Sequence, residues 1–347
     1  MIFTPGQLYF INEQDVKTGE RSNYYKIGIV RESDERDSED RLLEHQTGNP
    51  RRLVIKKQLN MPAVEEVETS LHYLFARNWA MGEWMCFTDD ELKKAISKAE
   101  ELATAMQGNI QDFKRAEELS DIASNGVTLP ANPVAEELYQ NYMNYREVVK
   151  SCDEAIDEYK SYLYQAIEKG EDVAGKAKIQ NKPGAKKFDE KLFASKYPDL
   201  YKKFSISLFP IPIKGSFRPK LNKDWVVDSS SISQEQTELI IELKNEISKA
   251  DHSLETGFLL HGKHQGVLEI RKYAELESSF ANTKLRVMTG EAEGIEGICT
   301  WKREPKETIV FDKQKIQSDY PDEYNACVVQ GKDVKALIVN PRIAEVQ

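Results

Sequence analysis

The sequence predicts an α+β protein in which a small β-β-α-β-α domain precedes a helix-rich α+β region. Three observations in the 347 residues support this fold class. Short β-prone runs and helical periods alternate through residues 1–90. Long charged stretches with helical spacing follow, and a linker rich in proline and glycine interrupts them. A motif of constant spacing then occurs twice, which predicts a duplicated helix-strand-helix module.

The first 90 residues contain three predicted strands and two predicted helices. The strands cover 8–11, 24–30 and 53–59, where β-branched and aromatic residues concentrate. The first helix covers 40–46 and ends at a Gly-Asn-Pro turn. For the second helix we expect Asn60 as the N-cap and Pro62 in the first turn, with the helix continuing through Arg77. The order is therefore β-β-α-β-α.

The rest of the chain is predicted to be mostly helical. Residues 88–123 begin with a Thr88-Asp-Asp-Glu capping pattern, and residues 135–168 form a second, strongly acidic helical stretch. Between them, 124–133 has the composition of a linker. These features predict four regions, listed in chain order: a domain at 1–90, a helical connector and linker at 91–133, a first module at 134–225 and a second module at 226–347.

The predicted duplication rests on a residue pattern that occurs twice with the same internal spacing. Phe188-Asp189 is followed by Tyr197-Pro198-Asp199 and Tyr201, and Phe311-Asp312 is followed by Tyr320-Pro321-Asp322 and Tyr324. A glycine-led run precedes each copy, at 175–179 and 297–301. Because a proline disfavours helix at the preceding residue, each unit should contain a short helix that ends before its proline.

Composition excludes several classes of protein. Apolar residues make up 40% of the chain, which is enough for real cores, and no run reaches the ~18 apolar residues of a membrane span. The N-terminus lacks a signal-peptide pattern, so we expect a cytoplasmic location. The four cysteines are scattered, which favours reduced, structural thiols over disulfides or a zinc site.

Charge is distributed unevenly along the chain. The net charge is −10, and residues 1–90 carry −5, yet residues 173–223 carry +10. Such a segment in an acidic chain is typical of a surface that binds a polyanion, with a merely solvated surface as the alternative. The second copy, 296–347, is close to neutral. We therefore predict DNA contacts at Lys182, Lys186, Lys187, Lys202 and Lys203 of the first module, and at Arg51, Lys56 and Lys57 of the N-terminal domain.

Five residues of the first 90 are the candidates for chemistry: Tyr9, Lys26, Arg41, His45 and Glu68. Hydrolysis of a phosphodiester needs a base that activates water, a cation that holds the phosphate and a hard oxygen ligand for a divalent metal. Tyr or His can be the base, Arg the cation and Glu the ligand. Two further residues lie close to these in the sequence pattern. His72 shares a helix face with Glu68 and is expected to pack there, and Glu83 is either a second acid of the site or part of a structural turn.

These motifs resemble the GIY-YIG endonuclease superfamily. The resemblance covers 6–88 and rests on Gln7-Leu8-Tyr9, Lys26-Ile27-Gly28, Arg41 with His45 and a helix bearing Glu68. The phage-associated Lys-Ile-Gly branch also shares Glu68-x-x-x-His72 and Gly82-Glu83-Trp84. The resemblance implies a Mg²⁺-dependent nuclease, with Mn²⁺ as a substitute metal. It implies that Tyr9 helps to deprotonate water, Arg41 steadies the phosphate, His45 supports the site and Glu68 binds the metal.

Lys26 departs from the tyrosine that gives the second motif its name. Some restriction-enzyme members of the superfamily also have lysine there. In the C-terminal copy, 296–302 with Phe311-Asp312 and Tyr320-Pro321 resembles the tail of YqaJ-type phage recombination exonucleases. No catalytic core of that family is found in this chain. This second resemblance implies DNA metabolism related to phages and no second active site.

Two main functions follow from the sequence. The first is a DNA endonuclease of phage, mobile-element or anti-phage type. The second is a DNA-binding or adaptor protein that keeps the fold without turnover. The joint presence of Tyr9, Arg41 and Glu68 favours the enzyme. A structural protein that associates with itself or with a protein partner through its helices or C-terminal modules is a third reading.

Overall fold

The computed structural model describes residues 3–34, 36–171, 175–211, 215–251 and 253–342. It is 52% helical and 21% strand, with an antiparallel N-terminal sheet followed by a helix-rich region, which confirms the α+β class. Parts of the basic segment, 173–174 and 212–214, lie outside the described residues. None of the described helices is apolar enough over a sufficient length to cross a membrane. The four cysteines are free thiols.

The strands, in chain order, are β1 (Gly6–Gln14), β2 (Arg21–Arg31), β3 (Arg52–Met61), β4 (Trp79–Met81), β5 (Trp84–Cys86), β6 (Thr128–Leu129), β7 (Ala177–Lys182), β8 (Lys186–Phe188), β9 (Ser205–Ile211), β10 (Arg218–Pro219), β11 (Gly294–Ile295), β12 (Cys299–Thr300), β13 (Lys306–Phe311), β14 (Val328–Gln330) and β15 (Val334–Val339). The helices are α1 (Ser38–Gln46), α2 (Val64–Leu74), α3 (Asp89–Ser120), α4 (Pro133–Glu168), α5 (Glu190–Lys196), α6 (Pro198–Lys203), α7 (Gln234–Ile247), α8 (Leu254–Thr289), α9 (Lys313–Asp319) and α10 (Pro321–Asn325).

The N-terminal sheet has the strand order β3-β1-β2-β5-β4 and is antiparallel throughout. Alternation along β1 sends Leu8 and Phe10 to one face and Tyr9 and Ile11 to the other. The first face packs against α2 and α3, and α1 covers the second face through Leu42. The predicted β-β-α-β-α order is therefore correct. The hairpin of β4 and β5 extends the sheet beyond it.

The predicted start of the second helix is wrong. Asn60 lies within β3 and pairs with Gln7, so the chain is still in the sheet at that point. The helix α2 begins at Val64 after Ala63, which offers no side-chain cap. It ends at Leu74 instead of Arg77, because a short 3-10 helix follows at Ala76–Asn78. Pro62 directly follows β3. Because a proline can stand either in the first turn of a helix or directly after a strand, Pro62 alone does not show where the helix begins.

The two copies of the repeat have the same backbone and interlock. In each copy a strand ends at phenylalanine, an aspartate caps a short helix, and a second short helix starts at proline. The first strand of each copy pairs with the second strand of the other: β8 with β14, and β13 with β9. The symmetry extends to single hydrogen bonds, since Asp189 N donates to Cys327 O and Asp312 N donates to Phe204 O, both at 2.9 Å.

The glycine-led runs before the two copies do not correspond in the structure. The run 175–179 leads into β7, which pairs with β15, whereas 297–301 contains β12 of a separate sheet. That sheet has the order β10-β12-β11-β6 and takes up part of the predicted linker. Phe193, Phe204, Ile316 and Cys327 of the two copies share one apolar cluster. The boundaries between the predicted domains stay a prediction.

Helix α8 joins the N-terminal unit to the rest of the chain. It packs along α4 and α7 on one side, in a core that includes Tyr159 and Val267. On the other side it contacts α2 and the 3-10 helix: Arg77 pairs with Glu269 at 2.7 Å, and Lys272 with Glu66 at 3.0 Å. These contacts fix the N-terminal unit against the helical body.

Candidate active site

Tyr9 and Lys26 lie on the central strands β1 and β2, and a glycine makes room for the tyrosine ring. Tyr9 is 1% exposed and faces Gly28 across the hairpin. A Cβ at Gly28 would lie 2.5 Å from the Tyr9 hydroxyl oxygen and 2.6 Å from its Cζ. Only glycine therefore leaves the ring in this position. This is a physical reason for the glycine of the Lys-Ile-Gly motif.

Helix α1 brings Arg41 and His45 to the same place. Asp37 caps the helix by accepting from two backbone N–H groups, and Asp40 completes the capping box. One turn separates Arg41 from His45, so both face the sheet. The Tyr9 hydroxyl oxygen lies 3.3 Å from His45 Nε2. Arg41 pairs with Glu44, and its buried Nε has no hydrogen-bond partner.

Helix α2 contributes the acid. Glu68 lines an open pocket of about 540 Å³, next to Lys26, Glu83 and His72. The pocket wall continues through Trp79, Gly82 and Trp84 and reaches Arg342 near the far end of the chain. Within the described residues, the half-buried carboxylate of Glu68 has no hydrogen bond and no ion pair. It is thus available to a ligand.

Lys26 and Glu83 form an ion pair at the mouth of this pocket. Lys26 is largely buried, and Glu83 lies in the turn between β4 and β5. Burial alone would raise the pKa of Glu83, but the hydrogen bond and charge of Lys26 outweigh it and hold that pKa below its ordinary value. Tyr25, the neighbour of Lys26, points to the opposite face and packs against Phe87, as strand alternation predicts.

The protonation equilibria around the pocket are shifted. Burial raises the pKa of Glu68 to about 7, and the nearby charge of Glu83 adds to this effect. Burial also raises the pKa of Tyr9, which the charge of Arg41 partly opposes. The pKa of His45 is lowered by burial and then by Lys26 and Arg41, so the ring is neutral at pH 7. Burial lowers the pKa of His72 to about 4. Such shifts are typical of functional sites.

The elements that build this site also carry a match to a known family. Residues 6–100 match the model of the T5orf172 domain. This domain is phage-associated, and the match indicates a nuclease-like or DNA-binding function. We found no match among curated proteins or solved structures. The match ends within α3, so the helical body and the repeat lie outside it. The narrower resemblance to GIY-YIG endonucleases stays a prediction.

In the T5orf172 region, the residues present suit a divalent cation at Glu68. The carboxylate is unpaired, lines an open pocket and has Glu83 as a second acid on the same pocket wall. In the part of the chain that the structure describes, no three His, Cys, Asp or Glu residues form a ready metal cluster. This arrangement suits Mg²⁺, which keeps several waters and commonly takes one or two carboxylates, better than it suits zinc.

Not all predicted DNA contacts lie near this site. Arg51 pairs with Glu13 at 3.3 Å. Lys57 pairs with Glu100 of α3 at 3.0 Å, on the face of the sheet opposite the one that α1 covers. Half-burial lowers the pKa of Lys56. The five lysines of the first module lie in the repeat. Lys203 is engaged there, since its Nζ lies over the rings of Phe204 and Tyr320.

Sequence reasoning missed two residues of the pocket. Trp79 stacks on His72 with ring centres 5.0 Å apart, and the guanidinium of Arg342, which also lines the pocket, lies over the Trp79 ring. Trp79 follows α2 after a short interval, and its aromatic character could have drawn attention. Arg342 has no such signal, because more than 250 residues separate it from the other pocket residues and no motif surrounds it. Of the predicted site residues, Lys26 and Glu68 line the pocket, and Tyr9, Arg41 and His45 form a neighbouring group outside its lining.

Proposed function

We propose that the protein is a Mg²⁺-dependent DNA endonuclease that hydrolyses phosphodiester bonds in the pocket beside Glu68. One observation supports this most strongly. Lys26 and Glu68 line one pocket, where the carboxylate of Glu68 is half-buried and, within the described residues, unpaired. Tyr9, Arg41 and His45 lie close enough to this pocket for its charged groups to act on Tyr9 and His45. A half-buried unpaired carboxylate is costly for a fold, so its presence favours a ligand that the site is built to hold.

In this proposal, His45 is the general base and Tyr9 connects it to the water. His45 is neutral at pH 7 and its Nε2 faces the Tyr9 hydroxyl, whereas the raised pKa of Tyr9 makes the phenol a poor base by itself. Tyr9 gives its proton to His45 as it takes one from the attacking water. The new bond forms between this water oxygen and phosphorus, and the leaving sugar oxygen takes a proton from solvent.

The cations act on the phosphate. Arg41 is beside Tyr9 and is suited to donate to the oxygens that gain negative charge in the transition state. Lys26 is held by Glu83 and supplies a second positive charge near Glu68. A Mg²⁺ at Glu68 would supply Lewis-acid polarisation of the phosphate and neutralise its charge. Because a metal ion needs the ionised carboxylate, a Mg²⁺ held by Glu68 would compete with the proton that Glu68 partly retains at pH 7.

The repeat is proposed to supply DNA affinity. Lys186, Lys187 and Lys202 are exposed, and they belong to the one basic segment of an acidic chain. The N-terminal unit has a negative net charge, so it would attract DNA poorly by itself. The repeat would hold phosphates through counterion release, while the pocket carries out the reaction.

The second candidate function is DNA binding without turnover. The feature that favours it is Lys26, which stands where the second motif of the GIY-YIG superfamily has tyrosine and which is occupied by Glu83. Both candidates fit the T5orf172 match.

A plasmid-cleavage assay separates the two candidates. Supercoiled plasmid is incubated with the full chain in Mg²⁺, in Mn²⁺ and in excess chelator, and DNA binding is measured in parallel. If the protein is a nuclease, we expect nicked or linear plasmid with either metal and none with chelator. Binding in all conditions with no product in either metal would support the binding protein instead.

A further inference from the structure

The far end of the chain reaches the candidate active site. After β15 leaves its pairing with β7, residues 340–342 run to the N-terminal unit, and Arg342 lines the same pocket as Lys26, Glu68 and His72. Its guanidinium carbon lies 4.9 Å from the centre of the Trp79 ring, within the distance of a cation–π contact. The pocket is thus formed by two parts of the chain that are remote in sequence.

Hydrogen bonds hold this segment against the body. Gln265 of α8 donates from Nε2 both to Pro341 O at 2.8 Å and to Ala76 O at 3.0 Å, so one amide bridges the segment to the N-terminal unit. His261 donates from Nε2 to Arg342 O at 3.0 Å. Its Nδ1 then accepts from the Tyr159 hydroxyl at 3.3 Å. The backbone that carries Arg342 is therefore fixed on both sides.

Among the residues that the structure describes, the side chain of Arg342 has no acidic partner. Arginines of the N-terminal unit such as Arg31 and Arg77 pair with carboxylates, Glu65 and Glu269 respectively. Within the described residues Arg342 pairs with none, and its Nε is buried without a hydrogen bond. A half-buried guanidinium that lacks a counter-ion in an acidic protein, and that lines a pocket, is suited to an anionic ligand.

We propose that Arg342 is a second phosphate-binding arginine of this site and contacts a phosphodiester next to the one that is cut. Arg41 lies beside Tyr9 and outside the lining of the pocket, whereas Arg342 lines the pocket beside Trp79 and His72. A nucleic-acid strand that crosses the pocket would meet both. The role as a substrate contact rests on the proposed function. It also implies that the T5orf172 region does not contain the whole substrate site.

The test compares Arg342→Ala and Arg342→Lys with Lys335→Ala, which removes an exposed cation from β15. Affinity for a short DNA duplex is measured by fluorescence anisotropy in chelator, and single-turnover cleavage is measured in Mg²⁺ with saturating duplex, all on the full chain with thermal melts as a fold control. Arg342→Ala should weaken duplex binding by about tenfold to a hundredfold, as expected for loss of a charged hydrogen-bond donor. Arg342→Lys should recover part of it.

The outcomes separate this inference from the proposed function. If the wild-type chain binds but does not cleave, the nuclease fails while the anisotropy result still decides the role of Arg342. If Arg342→Ala binds DNA as tightly as Lys335→Ala does, Arg342 is not a phosphate contact. The inference would be wrong even if the wild-type chain cleaves.

Gln265 is the corresponding positioning residue. Gln265→Leu should weaken duplex binding less than Arg342→Ala does. The double variant should bind DNA as Arg342→Ala alone does, because Gln265 is expected to affect binding only by holding Arg342 in place. Full additivity of the two losses would contradict a positioning role for Gln265.

Discussion

The N-terminal unit and the duplicated module use charge in opposite ways. In the N-terminal unit, most charged side chains near the pocket are paired or half-buried, and burial shifts the pKa values of Glu68 and His45. In the module, lysines such as Lys186 and Lys202 stand exposed on short elements. The first arrangement suits chemistry at a fixed point, and the second suits attraction to an extended polyanion.

The two copies of the module sharpen this comparison. The residues that build the fold recur: the strand-ending phenylalanine, the capping aspartate and the tyrosine before proline. The lysines of the basic surface do not recur. When the two copies are aligned in sequence on their phenylalanine and proline residues, cations of the first copy correspond to uncharged residues of the second, namely Lys186, Lys187, Lys202 and Lys203 to Ile309, Val310, Asn325 and Ala326. The same backbone thus supports a basic surface in one copy only.

The largest expected effect is on the cleavage rate when Arg41 is changed, since Arg41 is proposed to donate to the phosphate in the transition state. Arg41→Ala should lower the cleavage rate by roughly 10²–10³-fold, the usual loss when a transition-state donor is removed. DNA affinity should change much less, because many other cations contribute to it. Arg36→Ala is the matched control, since Arg36 also pairs with Glu44 and has no contact with Tyr9. Single-turnover kinetics and filter binding measure the two quantities, and equal losses in both would make Arg41 only a binding residue.

The next effect tests the comparison between the two copies. Changing Lys186, Lys187 and Lys202 together to Gln should weaken DNA binding and flatten its log–log salt dependence by roughly two to three units. The equivalent triple change at Lys302, Lys313 and Lys315 of the second copy should do much less, because that copy is close to neutral. Arg303 is omitted from the control, because it is 1% exposed and donates to Leu119 O near the end of α3 and to Ala292 O after the end of α8.

Filter-binding titrations from low to moderate salt on both triple variants measure this difference. If the two variants lose affinity equally, or the first loses none, the charge asymmetry does not serve DNA binding. The partner of the module would then be a protein.

The smallest effect concerns the protonation of Glu68. Its pKa is about 7 in the folded chain against 4.5 ordinarily, so the native state holds more protons between these pH values and loses stability as pH rises through them. Glu68→Gln should therefore raise the melting temperature at pH 8 without divalent metal, by an amount that corresponds to roughly 1–3 kcal/mol, and should change it little at pH 5. Added Mg²⁺ should stabilise the wild type at pH 8 more than at pH 6.

Scanning calorimetry at pH 5, 6 and 8 measures these shifts, with Glu65→Gln on the same helix as the control. A melting difference between wild type and Glu68→Gln that is the same at pH 5 and pH 8 would show that the carboxylate is not desolvated in the folded chain.

Local signals in the sequence predicted most of the N-terminal unit. Alternation in β1 and the capping pattern at Thr88 act over a few residues, so they could be read directly. The cap at Asp37 was not predicted, and α1 begins at Ser38, two residues before its predicted start. The start of α2 could not be predicted in this way. Asn60 belongs to a strand because it pairs with Gln7, and this contact is distant in sequence. Spacing alone revealed the repeat, whose interlocked pairing gives the same contacts twice. The position of Arg342 at the pocket could not be predicted, because only the packing of α8 against both parts of the chain brings it there.

The most direct test of the central claim is plasmid cleavage by Glu68→Gln. The substitution keeps the shape of the side chain but removes the charge that would hold the metal, and Glu65→Gln is the control because its partner is Arg31 on the protein surface. With Mg²⁺ present, we expect the wild type and Glu65→Gln to cut supercoiled plasmid. Glu68→Gln should leave it intact, although it still melts cooperatively and binds DNA. Cleavage by Glu68→Gln at the wild-type rate would contradict the assignment of the active site.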